Sequence, residues 1–118
     1  MIGACRYSYA GFRHAIRHEA AIRQELALSA VLAPVSAFLH VDLIEHLLLV
    51  LALLLVVLVE FLNSAIEATV DRISMERHPL AGQAKDLGSA AVLVALVMWA
   101  LTWGVIVGPL VIRSLRHG

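Results

Sequence analysis

From Leu87 to Ile112 the chain runs 26 residues without one ionisable side chain. At about 1.5 Å per residue such a helix is about 39 Å long, more than the hydrocarbon core of a bilayer at about 30 Å, so this stretch is expected to span a membrane. A second run, Leu47 to Val59, is 13 apolar residues, and its helical pattern continues past Glu60 through Phe61, Leu62, Ala65, Ile66, Ala68 and Val70. The later turns of that helix should meet a polar neighbour. A third run, Leu26 to Leu39, contains Pro34 and two serines and is short for a span unless the preceding A-A-I-R-Q-E is helical too. Composition agrees, with 61% apolar and 15% charged residues where soluble domains carry roughly 25% charged. The expected fold is an all-α membrane protein, a single domain over 1–118. Its transmembrane helices cover 24–41, 43–73 (with a cytoplasmic extension) and 84–112.

Short connections, His40 to Glu45 and Ser74 to Gly82 with Pro79 and Gly82 as breakers, imply antiparallel packing. Arg6, Arg13, Arg17, Arg23, Arg72, Arg77 and Lys85 lie on one side of the spans and only Arg113 and Arg116 on the other, so the amino terminus should be cytoplasmic. Residues 6–23 read as an amphipathic helix in the headgroup layer, with Arg6, Arg13 and Arg17 on one stripe and Tyr9, Phe12 and Ile16 beside it. Trp99 and Trp103 suit packing or an outer-leaflet anchor.

Several function classes fall away. Nine basic and nine acidic residues leave no excess for nucleic-acid binding. The lone Cys5 forms no internal disulfide or multi-cysteine zinc site, and the six histidines fit no zinc spacing. The first apolar stretch follows four arginines and two glutamates, so no secretory leader is expected.

The informative segment is V-E-F-L-N-S-A-I-E-A-T-V-D-R, Val59 to Arg72. With Glu60 at 0° and about 100° per residue, Asn63 falls at about −60°, Ser64 at about +40°, Glu67 at about −20° and Asp71 at about +20°. Three carboxylates stacked on one face repel unless a cation intervenes. A wetted helix end would explain a lone Glu60. Here the opposite face, Phe61, Ile66, Ala68 and Val70, stays apolar, so the stripe should face the protein or a cavity, where carboxylates near bilayer depth are costly and functional. Glu19, Arg23 and Glu25 stand at the mouth of the first span; Lys85, Asp86 and Ser89 open the third beside the small residues Gly88, Ala90 and Ala91, which read as close-packing positions.

Oxygen donors without thiolates favour Mg²⁺, which commonly bridges one or two carboxylates to nucleotide phosphates. A phosphoryl-transfer site at the membrane surface is one reading. No P-loop, glycine-rich kinase loop, H-R-D or D-F-G is present, and on spacing alone a small ion-coupled transporter stands level with it.

The strings E-A-A-I-R-Q-E (19–25), V-E-F-L-N-S-A-I-E-A-T-V-D-R (59–72) and A-K-D-L-G-S-A-A-V-L (84–93) resemble the signature blocks of the prokaryotic membrane-integral diacylglycerol kinases, in order and spacing, within a similarity running from Tyr7 to Trp103. The resemblance implies a homotrimer of three-helix subunits with an amino-terminal surface helix, in the bacterial inner membrane. Such enzymes phosphorylate diacylglycerol with Mg-ATP at sites shared between neighbouring subunits. It makes Glu60 the catalytic base and Glu19 and Glu67 the Mg²⁺ carboxylates, with Asn63 and Asp71 in support. Tyr7, Glu76, Arg77, His78, Lys85 and Asp86 match nucleotide contacts alongside Glu19 and Glu67. Tyr9, Arg13, Ala21, Ile22, Arg23, Gln24, Glu25 and Ser89 match the lipid strip, with Glu60. Tyr9 stands where tryptophan is common and His46 where arginine is frequent. The undecaprenol kinases share the acidic core and are the alternative for the lipid. R-Q-E at 23–25 and G-S-A at 88–90 look closer to the diacylglycerol branch.

Overall fold

The computed structural model describes residues 2–73 and 79–117, which form four α-helices. They are α1 (Ile2–His18), α2 (Ala20–Ala37), α3 (Leu43–Ile73) and α4 (Pro79–His117). α3 is central, packing most extensively against α4 and next against α2, while α1 leans on α2.

The amino-terminal helix differs from the sequence expectation of 6–23, since it begins at Ile2 and ends at His18. Glu19 then takes an extended backbone (φ −114°, ψ 103°) and α2 starts at Ala20, so Arg23 belongs to the next helix. The turn is held by Arg23, whose Nη1 donates to the carbonyls of Ile16 and Arg17, each at 3.3 Å. A cation on the last carbonyls of α1 is the favourable complement to a helix carboxyl end. Glu19 thereby becomes a one-residue corner, still tied by its N–H to Ala15 O (2.9 Å). Phe12 of α1 meets Phe61 of α3 edge to face, ring centroids 4.9 Å apart, which ties the corner to the central helix.

α3 opens on a reciprocal cap: the Glu45 N–H donates to Asp42 Oδ1 (2.8 Å) and the Asp42 N–H to Glu45 Oε1 (3.4 Å). Helix therefore starts at Leu43. Pro79 and Gly82, expected as breakers, lie within α4. Proline at the first helical position has no N–H to leave unsatisfied and its φ is already helical.

Among the described residues two helices, α3 and α4, are long and apolar enough to cross a membrane. At about 1.5 Å per residue, Leu43–Val59 covers about 26 Å, close to the hydrocarbon thickness, and Glu60 follows directly after it. The buried side chains of α3 are Leu49, Ala52, Leu53, Val56, Val57 and Glu60, a three-four spacing that faces α2 and α4. Opposite it Leu47, Leu51, Leu54 and Leu58 are about half exposed, and on α4 Leu93, Leu101 and Val105 more so. Lipid tails are as apolar as leucine, so contact between spans depends on close fit and hydrogen bonds. Ala52 and Ala95 are buried small residues, and Trp103 Nε1 donates to Leu49 O across α3 and α4 at 3.1 Å. Trp103 is thus a packing residue.

Candidate active site

Glu60 is the next position on the buried stripe that Leu49, Leu53 and Val56 define, and at 9% exposure it is the one buried acid among the described residues. Beyond it the same face carries Asn63 and Glu67, both half-buried, and then exposed Asp71. The acidic face is the polar continuation of the packing face of α3, because a helix keeps its azimuth along its length.

Around Glu60 the helices contribute further charge. The carboxylates of Glu25 (α2), Glu67 (α3) and Glu19 (the corner) lie near enough to act on it as like charges. Glu19 reaches this place because the chain turns there; its side chain makes no cap hydrogen bond. Asn63 Nδ2 donates to Glu67 Oε1 at 3.4 Å, while Asn63 Oδ1 is buried without a hydrogen-bond partner. Lys85 Nζ of α4 sits 2.5 Å from Asp71 Oδ1, both side chains open to solvent. One lysine on the outermost acid leaves the inner four carboxylates repelling one another.

That donor set suits a hard cation. It consists of carboxylate oxygens and carries excess negative charge. No group of three or more acidic, histidine or cysteine side chains converges as a metal cage among the described residues. Mg²⁺ taken up with a nucleotide commonly needs only one or two protein carboxylates.

The other sequence-derived positions divide. Gln24, Asp86 and Ser89 are exposed on the first turns of α2 and α4, as is Ala21, whereas Ile22 is 1% exposed and serves the packing of α2. Tyr7, Tyr9 and Arg13 are exposed on α1. Arg23 has its guanidinium on the end of α1. Glu76, Arg77 and His78 lie outside the described residues. Two features escaped the sequence: the capping role of Arg23, for which a basic residue one turn after an acidic corner was the only signal, and the closeness of Gly88 to Asn63. A methyl group at Gly88 would overlap Asn63 Oδ1 and touch Ile66 Cδ1 at 3.9 Å.

Comparison with known proteins gives a consistent result. The family model described as "Prokaryotic diacylglycerol kinase" matches residues 6–107. A protein named diacylglycerol kinase from Pseudomonas aeruginosa is 52% identical over 106 residues, 90% of this chain and 86% of its own length. Proteins of the same name from Escherichia coli (strain K12) and Haemophilus influenzae are 47% identical over 103 residues and 44% over 104. They cover 87% and 88% of this chain and 84% and 88% of their own lengths.

Proposed function

Because this chain belongs to the prokaryotic diacylglycerol kinase family, we propose that it transfers the γ-phosphoryl group of ATP to the free hydroxyl of diacylglycerol, with Glu60 as the base. The observation that carries the assignment is the position of Glu60, the buried acid at the end of the apolar part of α3. A lipid hydroxyl anchored by acyl chains sits at that depth, and a soluble nucleotide reaches it only from the overhanging turns.

In the proposed step the lipid oxygen attacks the γ-phosphorus in line with the bridging oxygen to the β-phosphate. That bridging bond breaks, ADP leaves, and the hydroxyl proton passes to a Glu60 carboxylate oxygen. Glu60 orients the hydroxyl through the same hydrogen bond before transfer. Lys85, Asp86 and Tyr7 hold the nucleotide, with Glu76, Arg77 and His78. Tyr9, Arg13, Gln24 and Ser89 border the lipid. Mg²⁺, held by Glu19 and Glu67 beside the phosphates, would neutralise phosphate charge, which is the main catalytic contribution in phosphoryl transfer.

The wider assembly belongs to the same reading. α2, with α3 and α4, makes a third span, marginal at 18 residues and containing Pro34. The half-exposed leucines of α3 pack against neighbouring chains in a homotrimer whose sites are shared, with the amino terminus on the cytoplasmic side of the bacterial inner membrane. Arginine distribution and the exposed apolar faces support this.

The test is incubation of purified protein in bilayers with Mg-ATP labelled at the γ-phosphate and either diacylglycerol or undecaprenol. Labelled phosphatidic acid is expected, abolished by EDTA. Absence of product with diacylglycerol, or preference for undecaprenol, overturns the assignment.

A further inference from the structure

Asn63 and Gly88 face each other across α3 and α4 more closely than any side chain at position 88 allows. Gly88 is buried, and a Cβ there would coincide with the volume of Asn63 Oδ1 and stand 3.4 Å from Asn63 Cγ. The other end of the same amide reaches Glu67 Oε1 through Nδ2. Only the NH₂ end of an amide is attracted to a carboxylate, so Oδ1 must take the opposite side, which is the side occupied by α4. There it is buried with no N–H or O–H donor. The space left by the missing side chain is what makes that orientation available.

We propose that Gly88 is a positioning residue for the kinase site: its bare backbone is the seat in which the Asn63 amide rests, turned so that its NH₂ group holds the Glu67 carboxylate. The proposal rests on the reading of Glu67 as a site carboxylate. Gly88 touches neither nucleotide nor lipid and acts through Asn63. Close packing alone would make Gly88 a matter of helix spacing, with no consequence for the direction in which one amide points. Any side chain at position 88 pushes Oδ1 out of its seat, rotates the amide and releases Glu67, which the like charge of Glu60 then drives away.

Asn63 is the only asparagine in the chain, which gives the idea a direct readout. Full-length protein labelled with ¹⁵N-asparagine shows a single side-chain NH₂ pair. In the parent protein the two protons should be well separated in shift, one of them bonded to Glu67 and slow to exchange. Glu67→Ala and Gly88→Ala should each move the pair toward the positions of a free amide. In kinase assays Gly88→Ala should lower kcat/KM for Mg-ATP at least tenfold and raise the Mg²⁺ concentration needed for half-maximal rate. In an Asn63→Ala background, where nothing remains to displace, Gly88→Ala should cost no more than about twofold further.

An unmoved asparagine resonance in Gly88→Ala overturns the proposal, as does the same factor of loss on both backgrounds. If Gly88→Ala alone fails to assemble, the Gly88→Ala/Asn63→Ala pair must recover assembly, since the clash is removed; failure of the pair also overturns it. A parent protein without Mg-dependent lipid kinase activity would refute the function while leaving the resonance experiment to decide the seat.

Discussion

The ammonium group of Lys85 lies 2.5 Å from the carboxylate of Asp71, so the single lysine of the chain is paired with the outermost acid of the α3 stripe. Side-chain exposures of 43% and 64% put this pair in water, where ion pairs add little to stability. The pair therefore contributes little to the fold, and Asp71 competes for the charge of Lys85.

The first prediction follows from that exposure. Asp71→Asn should leave the thermal midpoint within about 2 °C of the parent, because an exposed pair contributes so little. Freed from its partner and with one negative charge removed, Lys85 should attract phosphate better, lowering KM for Mg-ATP about threefold. Lys85→Met should raise KM at least tenfold. Steady-state kinetics on both variants decide it. A rise in KM for Asp71→Asn would mean that the acid presents the lysine to the nucleotide instead of competing for it.

The second prediction separates the buried acid from the half-buried one. Glu60→Gln keeps size and hydrogen bonding but accepts no proton, so kcat should fall at least about 100-fold with nucleotide binding nearly unchanged. Glu67→Gln should weaken apparent Mg-ATP affinity and lower turnover together. Equilibrium nucleotide binding on each variant distinguishes them. Equal loss of ATP in both would remove Glu60 from the role of base.

Much of this site is legible in the sequence because an α-helix converts spacing into direction. Glu60, Asn63, Glu67 and Asp71 fall on one face by counting alone, and the structure adds that this face continues the buried stripe of Leu49, Leu53 and Val56. The corner at Glu19 is not legible, since H-E-A-A-I-R-Q-E contains neither proline nor glycine and every residue in it is acceptable in a helix. The break exists because Arg23 reaches backward to Ile16 and Arg17, a contact between turns that no periodicity encodes. The seat of Asn63 is hidden for the same reason: G-S-A-A announces close approach, but which group fills the space depends on the register of two helices, between residues 25 apart in sequence.

Trp103 supplies a prediction remote from the chemistry. Its Nε1 is bonded to Leu49 O, and at about 1.5 Å per residue it lies about 22 Å along α4 from Gly88. Trp103→Phe keeps most of the apolar contact and loses the hydrogen bond, for which interhelical values in membranes are about 0.6 to 2 kcal/mol. Unfolding in mixed micelles should show a loss of about 1 kcal/mol, with kcat and KM within twofold of the parent. A large drop in kcat with unchanged stability would show that the far half of α3 and α4 is coupled to the site.

Arg23 provides the last prediction, because family resemblance and geometry give it different duties. The resemblance puts it in the lipid strip, whereas its guanidinium is bound to the last carbonyls of α1 and so fixes the angle at which α1 leaves the corner. If the cap is its principal duty, Arg23→Gln frees the end of α1 from α2, leaving Phe12 on Phe61 and the packing of Ala15 to hold the helix. Hydrogen exchange should then rise at least tenfold across Arg13 to His18 while α3 and α4 keep their protection. Because Glu19 is the corner residue, apparent Mg-ATP affinity should fall with it. Arg23→Lys should recover little, since one ammonium on a flexible stem replaces a planar group placed against two carbonyls. A variant whose KM rises for diacylglycerol alone, with exchange in α1 unchanged, would assign Arg23 to the lipid and leave the corner at Glu19 to be explained by other contacts.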